Sequence, residues 1–403
     1  MNKKITVLIL CVCCMLFTLE GAIPDLQKHV EAVGKLKLTT DIPVKYFSKY
    51  HMKNYIADLV EKEYTAEQAA KDELFIRLMG YSDRKLDLKE IRKTILVGNA
   101  GGLYNEKTKE LVVSEDYRNI NLINSMVIAH ELRHAIQDEH FNLSNILGKY
   151  SYFDDRELAV LSAVEGDAAL VMVLVNEFSP EVISSTLSSD VLLSFSPIGN
   201  TAQLSGMPGI IRHQLTMPYI YGLRFTNTIL GKKKWKGVNK LLESLPESTE
   251  QVLHPDKYFK KEKPMAVSID YRPQGYDLFH TGVIGEYYLN ILLNARDNYT
   301  DFAYGWGGDF FHIYKKEAAY FLIWKSVWDE EKFCSKFYFD FKRFIEANFR
   351  VNFKEGNVSG SLFIAGHAGD DYFFIRRINN RFIYARSNDR NEMNKYIFGG
   401  NYD

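Results

Sequence analysis

The chain has 403 residues, 46% of them hydrophobic and 25% charged, with a formal net charge of −1. That is ample for a sizeable core in one large domain or two, and it carries no charge excess that would point to nucleic acid or an acidic substrate. The one basic cluster, Lys232-Lys233-Lys234-Trp235-Lys236, reads as a solvated turn between helices.

In chain order, Met1-Asn2-Lys3-Lys4 is a short basic start, and residues 5–19 form an apolar run too short for a comfortable membrane span. This predicts a signal peptide over residues 1–22, cleaved near Gly21 or Ala22, although Glu20 is unusual so close to the cut. Cys11, Cys13 and Cys14 lie in the apolar run, but none follows the small residue that a lipoprotein signal has, so a lipid anchor is the weaker expectation. After cleavage only Cys334 remains and no intrachain disulfide can form. The expectation is a secreted or extracytoplasmic protein, with a lean toward a bacterial source, that meets membrane only through its signal or an anchor.

Residues 24–92 read as mostly helical, with a short strand at 44–47 after Pro43. Residues 94–98 and 101–104, a polar turn at 105–109 and residues 110–113 predict a β-hairpin. A sheet edge there could take up an extended peptide by strand addition.

Residues 122–141 are strongly helical and contain His130-Glu131-Leu132-Arg133-His134. Residues four apart share a helix face, so the two imidazoles can converge on one metal ion. Glu131 stands beside the first ligand, where a carboxylate can take a proton from a metal-bound water. The flanks are apolar, Met126 to Ala129 before and Ala135-Ile136 after, and buried imidazoles need partners. A third ligand comes from the next helical run, residues 155–178. Glu165 falls on its apolar stripe of Leu158, Leu161, Ala168, Ala169 and Met172, where a carboxylate is costly unless paired or metal-bound. Gly166 removes a side chain where two helices would approach closely, and Asp167 is placed to accept a hydrogen bond from a ligand imidazole. The competing readings are a Glu165–Arg ion pair and Glu157 as the ligand.

Residues 179–207 read as short helices and a loop, 210–230 and 238–245 as helix, 264–273 as a strand and turn, and 281–293 as helix. Residues 318–348 are aromatic-rich and read as helical for much of their length. Residues 361–365, 372–377 and 381–385 predict three strands of a small sheet. The expected fold is α+β and helix-dominated, with a main domain over 23–350 and a small β-rich segment over 351–403.

The string from His130 to Phe141 resembles the HExxHAxQDQHF segment of a group of exported bacterial and archaeal proteins regarded as zinc metallopeptidases. Val164-Glu165-Gly166-Asp167-Ala168 is similar to that group's EGDA, residues 248–258 to its STEQxLHPxKY, and Gly305-Trp306-Gly307-Gly308-Asp309 to its GWGGD. Residues 102–104 and 110–113 resemble its hairpin. Four ordered motifs over roughly half of the chain are far more specific than HExxH alone. The resemblance implies a gluzincin-type peptidase with a zincin-like core: one zinc ion on His130, His134 and Glu165, and Glu131 as base. Glu139 departs from the group's Gln, outside the ligand set.

His254 and Tyr258 draw interest from the same resemblance. Pro255 favours an extended His254, which either packs as a structural residue or faces the oxyanion. His254, Tyr258 and Tyr221 are the candidate oxyanion donors. The glycines around Trp306 read as tight turns with close backbone contacts. The function expected is an exported zinc metallopeptidase acting on a peptide or protein. The alternatives are a binding or surface protein on the same scaffold without turnover, and a zinc amidase acting on cell-wall material.

Overall fold

The computed structural model describes residues 19–99, 101–117, 121–148, 153–180, 183, 206–294, 302–358 and 361–399. The expected loop at 179–207 falls largely outside them, as does the apolar run before residue 19. The first helix, α1 (Leu19–Gly34), runs through Gly21 and Ala22. Then come β1 (Val44–Phe47), α2 (Lys49–Glu63), α3 (Ala66–Met79), α4 (Leu88–Asn99), β2 (Gly102–Asn105) and β3 (Glu110–Ser114). β1 pairs parallel with β3, and β3 antiparallel with β2, so β2 is an edge strand.

The hairpin is therefore β2–β3. Residues 94–98 are the end of α4, where Ile95 is buried in the main core and Leu96 and Val97 pack on the face of α2 that carries Met52, Ile56 and Val60. Tertiary packing on two sides outweighs the strand bias of a β-branched run.

The centre of the molecule is a helix pair, α5 (Leu122–Phe141) and α7 (Asp155–Val175), joined through the short α6 (Leu143–Ile146). Asn121 caps α5 through the Asn124 N–H, and Asp154 caps α7 through the Arg156 and Glu157 N–H groups. α7 is long and apolar enough to cross a membrane, but it is the core helix of this fold, buried along most of its length. α8 (Gly209–Met217), a π-helical turn at Pro218–Gly222 and α9 (Leu223–Val238) then pack along it. The expected break between helices falls within the lysine run: α9 is two helical pieces kinked at Lys234, which adopts non-helical φ 57°, ψ −169°, and the lysines around it are exposed. Residues 238–245 hold only a 3₁₀ turn, Leu241–Glu243.

α10 (Thr249–Leu253), α11 (Pro255–Lys260), β4 (Asp277–Gly282) and α12 (Gly285–Leu293) follow. Residues 264–273 form no regular element, and the helix expected from 281 starts only after β4 ends. β5 (Trp306–Lys316), β6 (Ala319–Trp328), α13 (Glu331–Phe349), β7 (Lys354–Val358), β8 (Ser361–Ala368), β9 (Asp371–Ile378), β10 (Arg381–Ser387) and α14 (Arg390–Phe398) complete the chain.

β4 to β10 form one antiparallel seven-stranded sheet in the order β4-β5-β6-β10-β9-β8-β7. The boundary expected at residue 350 therefore divides a single sheet. Its α+β, helix-dominated character matches expectation, but residues 319–328 are strand, not helix. β6 is buried on both faces, between α13 and the core on one side and α14 on the other. A strand of that kind lacks apolar–polar alternation and resembles a buried helix in sequence.

The GWGGD glycines serve backbone packing. Gly305 sits at φ +79°, and a Cβ on Gly308 would lie 2.2 Å from the Met265 carbonyl oxygen. Asp309 accepts the Ile284 and Gly285 N–H groups at 2.7 and 2.8 Å and the Trp306 Nε1–H at 2.7 Å.

Candidate metal centre

His130, Glu131 and His134 stand on α5, and Glu165 faces them from α7. The structure brings three ligand atoms together. His130 Nε2 lies 3.1 Å from Glu165 Oε2, His134 Nε2 lies 3.0 Å from His130 Nε2, and His134 Nε2 lies 3.5 Å from Glu165 Oε2. A tetrahedral zinc with bonds of about 2.0–2.1 Å holds its donors roughly 3.3 Å apart, so the triangle fits such an ion. Glu157, the rival ligand, is elsewhere: its Oε1 accepts the Gly148 N–H at 3.0 Å.

The tautomer of His134 follows from its neighbours. Gln137 donates its amide N–H groups to Val164 O and Asp167 Oδ2, both at 2.9 Å, which turns its Oε1 toward His134 Nδ1 at 2.8 Å. Nδ1 therefore carries a proton, and Nε2 points into the ligand triangle, where a bound cation would take its lone pair. Asp167 thus supports the imidazole through Gln137 rather than by direct contact. It also takes the Arg133 guanidinium on both oxygens, at 2.9 and 3.0 Å. That buried, bidentate pair ties α5 to α7 beneath the site.

Burial disfavours a charged His134, but the Glu165 carboxylate, with Glu131 and Gln137, outweighs it and raises the ring to about 9. Burial likewise pushes Glu165 up, and the two imidazoles overcome this and hold it well below the usual carboxylate range. A carboxylate that stays ionised while buried is what a cation ligand requires. Glu131 is raised above its ordinary value, mainly by burial and against the pull of His134 and His130.

Glu131 is held by the hairpin. Its Oε2 accepts the Tyr104 N–H at 2.7 Å. Ser114 N donates to Gly101 O at 2.9 Å, and this register turns the backbone groups of Gly102 and Tyr104 away from β3, toward the site. A Cβ on Gly102 would stand 3.6 Å from Glu131 Cγ. Asp138, two turns further along α5, fastens the hairpin by accepting the Tyr104 hydroxyl at 2.7 Å and the Lys109 ammonium at 2.5 Å. Glu139 accepts the N–H groups of Thr39 and Thr40, both at 2.9 Å, so the departure from Gln anchors the segment after α1.

Tyr219 belongs to the site and was not singled out from sequence. Its ring is 6.1 Å from that of His130, and its phenol lies in the field of the Glu165 and Glu131 carboxylates. Burial, then Glu165 and Glu131, push the phenol well above its ordinary value, so it stays a donor. Gly166 and Gly222 place it. A Cβ on Gly166 would lie 2.3 Å from the Gly222 carbonyl, and one on Gly222 would lie 2.3 Å from Ser162 O. Two bare backbones cross there, which lowers the π turn onto α7. The close approach expected at Gly166 is present, and its partner is this turn.

His254 and Tyr258 are not in the cluster. His254 Nε2 is 2.9 Å from Glu286 Oε1 on α12, its ring edge meets Tyr304, and Tyr258 donates to Ser244 O at 2.7 Å. α10, just ahead of them, is pinned to Asp155 through the Thr249 N–H at 3.2 Å, ten residues, or about 15 Å of helix, before Glu165. The catalytic roles expected for this pair are therefore replaced by packing roles. His254→Ala should lower the melting temperature, because it leaves buried Glu286 without its imidazole, and activity should track the folded fraction. Thermal melts paired with activity per folded molecule check this; slow turnover at unchanged stability would restore the catalytic role.

A second acidic trio, Glu250, Glu262 and Asp329, could also hold a cation. The Lys257 ammonium already fills it, at 2.6, 2.7 and 2.8 Å.

Residues 276–394 match a family described as a domain of unknown function (DUF8575). That stretch covers the large sheet on both sides of residue 350 and excludes the metal centre. No curated protein matches the chain significantly. Among solved structures, a Chloroflexus aurantiacus protein provisionally described as a hydrolase with a novel fold is similar at 13% identity. The match covers 59% of this chain and 87% of that one, with a TM-score of 0.32.

Proposed function

We propose that the protein is an exported zinc metallopeptidase with a zincin-like core formed by the β2–β3 hairpin, α5 and α7. The observation that carries this reading is the triangle of His130 Nε2, His134 Nε2 and Glu165 Oε2, with separations of 3.0–3.5 Å and a base beside it. The four ordered motifs similar to exported zinc peptidases support it.

His130, His134 and Glu165 would hold the ion. Zinc, when bound, acidifies a water and polarises a carbonyl. Glu131 takes the proton from the attacking water and returns it to the leaving amine. Burial, which lifts its carboxyl, makes it a better base than an exposed glutamate. The outward backbone groups of Gly102 on the β2 edge are free to pair with an extended substrate. Tyr219, in place of His254, Tyr258 or Tyr221, is the donor for the developing oxyanion, since its ring stands 6.1 Å from that of His130 at the edge of the ligand triangle.

A binding protein on this scaffold would have no use for Glu131, whose carboxylate is buried at an energetic cost. A cell-wall amidase would use the same centre and differ only in its substrate. The deciding experiment is metal analysis of the purified chain together with cleavage of an unstructured polypeptide. The wild type should carry one zinc and cleave, whereas His134→Ala should lose both. Added zinc at about a thousand times its Kd should stabilise the wild type by about 4 kcal/mol and leave His134→Ala unmoved. A wild-type chain that neither binds zinc nor melts higher with it would overturn the reading.

A further inference from the structure

Lysine-rich stretches far apart in sequence meet on one surface. Residues 231–240 contain five lysines and no acid. Lys232 Nζ lies 4.7 Å above the ring of Phe259, which leads directly into Lys260 and Lys261. On the other side, Asn239 Nδ2 donates to the carbonyl of Lys35, at the end of α1, at 3.3 Å. All of these lysines are exposed. Lys260 pairs with Asp256, and nearby Lys263 with Glu247, but among the described residues no carboxylate pairs with Lys35, Lys261 or the five in α9 and just beyond it.

The backbone is kinked within this face. Five consecutive residues of a helix sweep more than a full turn, and here the inward position is taken by Trp235. Lys234, at φ 57°, marks a kink in the middle of the run. Trp235 turns in against the core, while Lys232, Lys233, Lys234 and Lys236 all remain in solvent. Strain of this kind persists only where the surrounding structure enforces it.

We propose that this face docks on an anionic lipid bilayer. The patch is entirely lysine. Compact ammonium groups suit diffuse attraction to a charged headgroup layer, whereas base recognition favours arginine forks and exposed aromatic platforms, and the patch has neither. Asn239, within the patch, also accepts from Arg133 Nη2 at 2.9 Å, so docking would fix the metal helix relative to the bilayer.

The test is flotation of the full chain with vesicles of phosphatidylcholine alone or mixed with phosphatidylglycerol, without zinc or substrate, so the outcome is independent of the peptidase reading. Binding should favour the phosphatidylglycerol vesicles and fall away near 1 M salt, where screening is effective within about 3 Å. The triple variant Lys232→Gln, Lys233→Gln, Lys236→Gln should bind about 100-fold more weakly. Lys260→Gln, Lys261→Gln, Lys263→Gln, on the other stretch, gives the same readout if the first triple variant melts early. Equal binding to both vesicles, or wild-type affinity in a stably folded triple variant, would overturn the proposal. Preference for duplex DNA over phosphatidylglycerol vesicles at equal phosphate concentration would overturn it as well.

Discussion

Glu131→Gln should keep a full complement of zinc and lose hydrolysis by about 10²–10⁴-fold, the range that a general base supplies. Two features make the substitution a clean one. Glu131 is not among the three convergent ligand atoms, so the ion keeps its donors. A glutamine also retains a side-chain oxygen to accept the Tyr104 N–H that now meets Glu131 Oε2 at 2.7 Å, so the hairpin stays seated on α5. The substitution removes a buried carboxylate whose charge is disfavoured by its surroundings, and the melting temperature should hold or rise. Zinc stoichiometry, a thermal melt and cleavage of an unstructured polypeptide read the three consequences separately. Wild-type turnover by the glutamine variant would remove Glu131 from the mechanism. Loss of zinc would mean instead that it helps to hold the ion.

The ligand set was legible because it is local. Helical periodicity alone carries His130 and His134 to one face of α5, and it sets Glu165 on a stripe of α7 where an unpaired carboxylate would be costly. Gly166 was legible as a place of close approach, but not what approaches. Tyr219 depends on the crossing of Gly166 and Gly222 and on a π turn that shifts the helical phase. Straight-helix counting gives no reason to choose it over Tyr221, two residues on. Gln137 lay within the quoted string, one turn beyond His134, and its role emerges only from the Val164 and Asp167 acceptors across the helix pair. His254 and Tyr258 came from motif resemblance alone, and their contacts are with Glu286, Tyr304 and Ser244 rather than with the His130–His134–Glu165 triangle, so we expect packing roles for them. In the fold, β8 to β10 were read correctly although β10 is buried on both faces, because the turns Gly369-Asp370 and Asn379-Asn380 mark off the strands. β6, equally buried, was not, because it shows no alternation and the turn before it, Glu317-Ala318, carries no turn residue.

Tyr219→Phe should lower kcat by about 10²–10³-fold, with zinc content unchanged and KM moved little. The phenol stands beside the proposed metal ligands, and burial with the Glu165 and Glu131 charges raises its pKa, so it stays a donor. A phenylalanine preserves the ring beside His130 and the Gly166–Gly222 crossing, so the turn should remain in place. Loss of one hydroxyl should cost about 1 kcal/mol of stability at most, too little to unfold the chain. Tyr221→Phe is the control. Tyr221 lies in the same turn, but its ring packs edge-on against Tyr287, with centroids 5.6 Å apart, and beneath the Arg224 guanidinium at 5.8 Å. Removing that hydroxyl should leave kcat near wild type. If the two variants exchanged outcomes, the oxyanion donor would be Tyr221. If both retained full activity with full zinc, the oxyanion would be met by the metal alone, and Tyr219 would serve only to pack beside His130.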